Sequence, residues 1–214
     1  MTTLIVVRHG QSVSNVRGTF TGQMDSPLTD LGILQAKRTA EYLKDRQIDA
    51  IYSSDLLRAM QTAEPLAAMK GLDIHPDRRL REIFGGEWEG KCGAEIEQLY
   101  PDNYAIWKQD VYRIAPDGGE KFLNVAKRVN EFLDEILQKH RGECVALFSH
   151  ALAVRALACK WFSLPLSQVN EVPWSANASV SIVEYHDEGR VNLILYGYSE
   201  HQGDLTTVLS KGLA

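Results

Sequence analysis

Residues 4–10 have the sequence LIVVRHG, in which four apolar residues lead into an arginine, a histidine and a glycine. The apolar run predicts a short strand that is buried on both faces and stops at Gly10. Ligands of open α/β sheets bind just beyond the carboxyl ends of strands, so Arg8 and His9 fall at a binding edge. A fixed cation beside an imidazole suits an anionic substrate and a nucleophile. Taken alone, the pair fits a surface charge and a polar strand end equally well, so this interpretation depends on the rest of the chain.

The composition is that of an ordinary globular domain with a normal core. The 214 residues are 44% hydrophobic and 24% charged, with a net charge of −5 that disfavours nucleic acid or an anionic membrane as the main partner. Three widely spaced cysteines predict no disulfide framework. We see no signal peptide and no apolar run of about 20 residues, so we expect a cytoplasmic protein that does not enter a membrane.

A second strand, predicted at residues 50–53, leads into a helix that Ser54 or Asp55 is expected to cap. Arg58 lies in the first turn of this helix, although cations are usually found at helix C-termini. The arginine therefore repeats the positive charge at the end of the first strand. The alternative is an exposed arginine that pairs with Asp55 or Glu64.

A third strand end delivers another polar group. The strand predicted at residues 144–148 is followed by His150 and then by an apolar helix at 151–162. A weak strand at 72–74 and an antiparallel hairpin within residues 178–196 complete the predicted sheet.

Helix boundaries follow from capping residues and breakers. Thr29 is the predicted N-cap of one helix, and residues 123–139 form the clearest amphipathic helix. Pro65 is expected to kink or end the helix that carries Arg58. The tail after His201 is expected to be peripheral and flexible.

Residues 11–25 are polar and rich in glycine, which predicts a functional loop or a short helix followed by a loop. Asn15 offers an amide donor to an anion, and Thr21 with the Gly22 backbone offers the same. Each of these residues is also an ordinary turn residue.

Residues 80–90 combine carboxylates, aromatic residues and three glycines, as expected of a loop held near a site. Glu82, Glu87 and Glu89 are candidate proton carriers, and their spacing does not choose among them.

Residues 84–120 are predicted to form a small cap of short helices over the sheet edge. Arg113 is the cation in this segment that we expect to contact substrate. Trp88, Tyr104 and Trp107 are expected to be exposed there, where they either serve a homodimer or line the pocket.

These segments together resemble the histidine phosphatase superfamily, in its cofactor-dependent phosphoglycerate mutase-like branch. The resemblance is carried, in the family's order, by residues 7–12 (VRHGQS), Asn15, residues 53–64 (SSDLLRAMQTAE), residues 80–82 (LRE) and residues 148–150 (FSH). It implies a three-layer α/β fold in which a mixed, mainly parallel sheet has helices on both sides. It also implies a single domain over residues 1–214, with a cap insertion at about 84–120.

The resemblance also implies roles for individual residues. His9 matches the nucleophile that becomes phosphohistidine, and Glu82 matches the general acid that protonates the leaving oxygen and later activates water. The phosphate pocket is matched by Arg8, Asn15, Arg58 and His150, with Thr21 and Gly22 on the loop at its side.

Elementary chemistry adds expectations about protons. His9 must be neutral to attack, and its other ring nitrogen should donate to a backbone carbonyl. His150 would face phosphate oxygens best when protonated, and Glu82 must carry a proton, which requires a raised pKa. The arginines supply the positive charge, so no metal is needed.

The leading prediction is a phosphomonoester hydrolase that acts on a small phosphorylated metabolite without a cofactor. The alternative is a phosphoglycerate mutase, which would need 2,3-bisphosphoglycerate. The chain is short and its cap has few cations, and residues 84–90 (FGGEWEG) resemble the phosphatase members more. Residues 116–120 (PDGGE) resemble a stretch that both branches share, but Lys121 replaces its serine.

Two further classes remain open. A catalytically dead binding module of the same fold would keep its function in the variant His9→Ala. A metallohydrolase using His9 and His150 would lose activity in chelator, although no metal-ligand spacing supports it. The substrate is open among phosphorylated glycerates, sugar phosphates and esters such as α-ribazole phosphate.

Overall fold

The computed structural model describes residues 1–207, in which six strands form one mixed sheet of order β3-β2-β4-β1-β5-β6. Strands β1 to β4 are mutually parallel, whereas β5 is antiparallel to β1 and β6 is antiparallel to β5. The strands are β1 (Thr2–Arg8), β2 (Ala50–Ser53), β3 (Ile74–Pro76), β4 (Cys144–Ser149), β5 (Val180–Tyr185) and β6 (Val191–Tyr198). The predicted mainly parallel α/β sheet is confirmed.

Helices cover both faces of the sheet. Leu4 and Val6 of β1 pack into one core, while Ile5 and Val7 pack into the other, which explains why the strand is apolar on both faces. The α-helices are α1 (Val13–Arg17), α2 (Asp30–Tyr42), α3 (Leu57–Lys70), α4 (Gly93–Leu99), α5 (Pro101–Gln109), α6 (Phe122–Lys139) and α7 (Ala151–Trp161). The first core receives side chains of α6 and α7, and the second receives those of α2 and α3. Over residues 1–207, no helix combines the length and the apolar character needed to cross a membrane.

The predicted start of α3 is wrong. Leu56, not Ser54 or Asp55, is the N-cap residue, and its side chain makes no capping bond. The Leu57 N–H donates instead to the Asp25 carboxylate, 3.0 Å away, so a distant loop satisfies the helix end. The helix also continues past Pro65 to Lys70, because its buried residues on both sides of the proline are held in the core.

The third strand lies two residues later than predicted, at Ile74–Pro76. Gly71 ends α3 in the left-handed conformation with φ of 64°, and the register with β2 pairs Ile51 with Ile74. Pairing with a neighbouring strand, which local sequence does not encode, therefore sets where β3 begins.

The segment Glu200–Leu205 is not peripheral, contrary to the prediction for the tail. Gln202 is fully buried, and its amide donates to the Gln35 carbonyl at 3.2 Å and to the Thr39 hydroxyl at 2.9 Å. Both acceptors lie on α2, so the tail covers polar residues of that helix. The remainder of the predicted tail, residues 208–214, lies outside the described residues.

The aromatic residues of the segment predicted to form the cap (residues 84–120) are buried, so the prediction that they are exposed is wrong. Trp88, Tyr104 and Trp107 are at most 5% exposed, and Phe20 meets the two tryptophan rings edge-on at 5.8 and 5.9 Å. The Trp88 indole N–H donates to the Asp117 carboxylate at 2.9 Å, which satisfies its polar atom. These aromatic residues join Trp88 and α5 to the loop after α1, and they therefore lend no support to a homodimer.

Candidate active site

Two histidines stand side by side because they follow adjacent parallel strands. Arg8 pairs in register with Ser149, and the His9 N–H donates to the Ser149 carbonyl at 2.9 Å. His9 and His150 are thus the first residues beyond β1 and β4, and their ring centroids are 5.1 Å apart. Both side chains are almost completely buried at the carboxyl edge of the sheet, where the strand pattern predicted them.

The His9 ring is held as a neutral nucleophile requires. Its Nδ1 lies 2.7 Å from the Gly10 carbonyl, which can only accept, so Nδ1 carries the proton and Nε2 has the free lone pair. Burial, followed by the charges of Arg58 and Arg8, lowers the pKa of His9 well below its ordinary value. The ring is therefore neutral near pH 7.

Two arginines bring fixed positive charge to the same place. Arg8 donates to the Ser175 carbonyl at 2.6 Å, and Arg58 donates to the carbonyls of Gly22 and Met24 at 2.8 and 3.0 Å. Burial lowers the pKa of both guanidinium groups to about 10, while the Glu82 charge acts in the opposite direction. Both arginines stay charged at neutral pH.

The proposed pairing of Arg58 with Asp55 or Glu64 is not what holds Arg58. Asp55 instead makes a two-point ion pair with Arg81, with both contacts at 2.6 Å. The bond to the Gly22 carbonyl holds Arg58 at the sheet edge, where the residue is only 1% exposed.

All three candidate carboxylates lie within the described residues 1–207, and only Glu82 is buried among these groups. Its side chain is 2% exposed. Its carboxylate accepts from the Ile83 N–H at 2.9 Å and from the Leu152 N–H at 3.3 Å, so it lies against the first turn of α7. Glu87 is exposed and Glu89 is half-buried, and both bond to groups of the cap and the adjoining loop. That Glu82 carries a proton at the working pH stays a prediction.

That His150 is protonated when it faces phosphate oxygens stays a prediction. His150 is fully buried, and its Nε2 is 2.8 Å from the Ser54 hydroxyl oxygen. Burial, followed by the charge of Arg58, lowers its pKa well below the ordinary value, so the ring is neutral near pH 7. A phosphate dianion beside the ring would act in the opposite direction, because an anion favours the charged imidazolium.

Because His9 and His150 are buried in their neutral form, we predict that the folded protein is less stable at acidic pH than at neutral pH. Their folded pKa values lie below the unfolded value of about 6.5, so the unfolded chain binds more protons below that pH. The free energy of unfolding therefore decreases as the pH falls through about 6.5. We expect the Tm to drop from about pH 7.5 to about pH 5.5, and to drop less in the double variant His9→Asn/His150→Asn. Equal drops in the two proteins would contradict this origin.

Asn15 and Gly22 belong to the segment 11–25 that was predicted to line the pocket. The Asn15 side-chain oxygen accepts from the Ser12 N–H at 3.0 Å and from the Asn177 amide at 3.2 Å, so its own NH₂ group remains a donor. Gly22 adopts φ of +53°, and a Cβ there would lie 2.1 Å from a Glu89 carboxylate oxygen. The loop thus requires glycine at this position.

Thr21 and Arg113, which were predicted to contact the anion and the substrate, do not bond to this cluster. The buried Thr21 hydroxyl lies 3.5 Å from the Thr19 carbonyl of its own loop. Arg113 is exposed in the cap, after the end of α5, and its backbone N–H bonds to Asp110.

Sequence reasoning missed three residues that shape the pocket. Ser54 bonds to His150, the Ser175 carbonyl bonds to Arg8, and the Asn177 amide donates to the His9 carbonyl at 3.1 Å. Ser54 was within reach, because it belongs to the quoted motif of residues 53–64. Ser175 acts through its backbone, which leaves no signal in the side-chain pattern.

The buried cluster suits an oxyanion. Within residues 1–207, the Arg8 Nε and His150 Nδ1 atoms are buried and have no hydrogen-bond partner, and an acceptor-only ligand would satisfy donors of this kind. Arginine forks, a neutral imidazole and a carboxylate beside them are groups that phosphoryl transfer uses. The described part of the chain has no group of three or more His, Cys, Asp or Glu side chains placed to hold a metal ion.

This fold and this site define an α/β enzyme of phosphoryl transfer. The chain belongs to the histidine phosphatase superfamily, branch 1, whose family model matches residues 4–196. It is similar to phosphoserine phosphatase 1 of Hydrogenobacter thermophilus, with 35% identity over 198 residues that cover 91% of each chain. It is also similar to a metal-independent phosphoserine phosphatase of Arabidopsis thaliana, with 33% identity over 88% of this chain and 78% of the relative.

Solved structures agree with this assignment. Bacillus stearothermophilus YhfR superposes with a TM-score of 0.90 at 34% identity, over 94% of this chain and 99% of that one. A mycobacterial glucosyl-3-phosphoglycerate phosphatase in complex with VO3 superposes with a TM-score of 0.85 at 34% identity, over 92% and 99% of the two chains. The protein is therefore an enzyme, a phosphatase of the phosphoglycerate mutase-like family.

Proposed function

We propose that this phosphatase hydrolyses phosphate monoesters of small metabolites through a phosphohistidine formed on His9. The observation that carries the proposal is the burial, at one sheet edge, of a neutral His9 beside two arginines and the Glu82 carboxylate. Such a site binds a phosphate group and offers it a nucleophile with a free lone pair.

The reaction takes two steps. In the first, His9 Nε2 attacks phosphorus while the protonated Glu82 gives its proton to the leaving oxygen, which departs as the alcohol. In the second, the Glu82 carboxylate takes a proton from water, and the water oxygen attacks the phosphohistidine. Inorganic phosphate leaves and His9 returns to its neutral form with Glu82 protonated again.

The other pocket groups hold the transferred phosphoryl group. Arg8 and Arg58 bind its non-bridging oxygens and stabilise their charge in the transition state. Asn15 adds a neutral donor, and His150 becomes a charged donor when the dianion raises its pKa. The Gly22 backbone lies at the side of the pocket, where its carbonyl accepts from Arg58, and residues 84–120 form the cap that selects the organic part of the substrate.

Trapping the covalent intermediate tests the proposal. The protein is mixed with a ³²P-labelled ester, quenched in alkali after a few milliseconds, and analysed by mass spectrometry for phosphate on His9. Phosphoserine and glucosyl-3-phosphoglycerate come first in the substrate panel, because similar proteins bear these substrates in their names. A label found on a different residue, or turnover with no labelled protein at any time, would refute the phosphohistidine.

A phosphoglycerate mutase remains the second candidate, because the same pocket performs that transfer when water is excluded. Phosphorus NMR with 3-phosphoglycerate and a trace of 2,3-bisphosphoglycerate separates the two. We expect inorganic phosphate to appear from an ester that the enzyme accepts. Formation of 2-phosphoglycerate without matching phosphate would identify a mutase instead.

We propose that catalysis needs no metal, and that the protein works in the reducing cytoplasm, to which its three free cysteines are suited. The metal-independent relative and the charge supplied by buried arginines support the first point. Overnight dialysis against EDTA is expected to leave kcat and KM unchanged. A loss of activity that Mg²⁺ or Zn²⁺ restores would contradict it.

A further inference from the structure

We infer that Arg128, on α6, is a positioning residue that holds the general acid Glu82 in place through its backbone. The inference rests on the role of Glu82 proposed above. Arg128 was not among the residues that the sequence pattern singled out. Its side chain is 17% exposed and lies behind the segment that carries Glu82.

All five N–H groups of Arg128 are engaged by the protein. Nη1 donates to the carbonyls of Arg79 and Arg81 at 2.8 and 2.5 Å, and one Nη2 hydrogen goes to the Glu82 carbonyl at 2.9 Å. Nε and the second Nη2 hydrogen make a two-point pair with the Glu120 carboxylate, with both contacts at 2.9 Å. No donor is left for substrate, so the residue acts through Glu82 and is not itself catalytic.

Glu120 supports the backbone on the other side of Glu82. We call Arg128 and Glu120 together the clamp. The Glu120 carboxylate accepts from the Phe84 N–H at 3.2 Å, and its own N–H donates to the Phe84 carbonyl at 2.8 Å. The backbone is therefore held on both sides of Glu82, by Arg128 before it and by Glu120 after it. This gives a function to the glutamate of residues 116–120, which the pocket itself does not use.

The clamp matters because the Glu82 carboxylate is held at its other end by α7. Its oxygens accept from the Leu152 N–H in the first turn of that helix, while α6 supplies Arg128. Helices α6 and α7 share one apolar core, which includes Val129 and Leu152, so the two anchors keep a constant separation. Releasing one anchor lets the carboxyl group move relative to His9, and a shift of about 1 Å costs up to about 100-fold in rate.

The geometry requires arginine rather than any cation. A guanidinium group presents five donors in a plane, so it reaches a carboxylate and three carbonyls at once, whereas an ammonium group has three donors at one point. Arg128→Lys therefore keeps the charge but loses the clamp. We expect this variant to behave much like Arg128→Met.

The test uses the dependence of rate on the leaving group, which a general loss of folding does not change. An alkyl ester needs a proton on its leaving oxygen, whereas 4-nitrophenyl phosphate does not. In Arg128→Lys, Arg128→Met and Glu120→Gln we expect kcat/KM to fall about 100-fold for phosphoserine, or for the best alkyl ester in the panel, and less than about 5-fold for 4-nitrophenyl phosphate.

Lys127→Met is the matched control, since Lys127 is the adjacent residue of α6, is 76% exposed, and lies 4.0 Å from Glu131. It should behave as wild type on both esters.

Equal losses on the two esters in the Arg128 and Glu120 variants, or no loss on either, would overturn the inference. If Glu82→Gln slows the alkyl ester and 4-nitrophenyl phosphate equally, then Glu82 is not the general acid, and the inferred role of Arg128 is wrong as well. Selectivity in Glu82→Gln alone would refute the clamp and leave the acid intact.

Discussion

His9→Ala is expected to reduce kcat by about 10⁴-fold or more on every ester, which is the scale of losses when a covalent nucleophile is removed. The reason is geometric. The Gly10 carbonyl holds Nδ1 at 2.7 Å and directs Nε2 to the reacting phosphorus, and the ring is neutral near pH 7. No labelled protein should form in a single-turnover experiment with ³²P-labelled ester.

The control for this variant is His75→Ala, because His75 is exposed on the edge strand β3, which β2 and β4 separate from β1. It should retain wild-type turnover. Hydrolysis by His9→Ala within tenfold of wild type would end the assignment of His9 as nucleophile. It would mean that a different group attacks phosphorus.

Glu82→Gln is expected to separate substrates by leaving group. The amide keeps the size of the carboxyl group and an oxygen that accepts from the Ile83 and Leu152 N–H groups, but it is no general acid. We expect kcat/KM to fall about 10³-fold for an alkyl phosphate and about tenfold or less for 4-nitrophenyl phosphate. Steady-state kinetics on both esters measure the ratio.

Glu87→Gln provides the matched control, since Glu87 is an exposed carboxylate of the same loop that bonds to Tyr100 in the cap. Its two rate constants should both stay near wild type. If Glu82→Gln slows both esters by the same factor, Glu82 is not the acid. A selective loss in Glu87→Gln would move that role to the cap carboxylate.

The two predictions depend on different parts of the fold. The position of His9 follows from β1 and from its register with β4, both of which are buried. The position of Glu82 depends on a loop between β3 and the cap, whose backbone carbonyls at Arg79, Arg81 and Glu82 accept from the Arg128 side chain. Loops need outside support to hold a catalytic group within a fraction of an ångström, and Arg128 supplies such support.

The sequence by itself determined the strands and the groups at their ends. Residues 4–10 and 144–148 are apolar enough to be buried only as central strands of a two-faced sheet, and their last residues must then meet at one edge. Arg8, His9 and His150 were therefore recoverable from local pattern. Arg58 was recoverable because its charge sits at the unfavourable end of a helix.

Tertiary structure decided what local pattern leaves open. Burial against α7, not spacing, distinguishes Glu82 from Glu87 and Glu89. Contacts between distant segments likewise bury Trp88 and its neighbours in the cap, move the start of β3, and cover α2 with Gln202. The role of Arg128 could not be predicted from local sequence, because its partners lie 8 to 49 positions away along the chain. Only folding brings their carbonyls and carboxylate within reach of one guanidinium group.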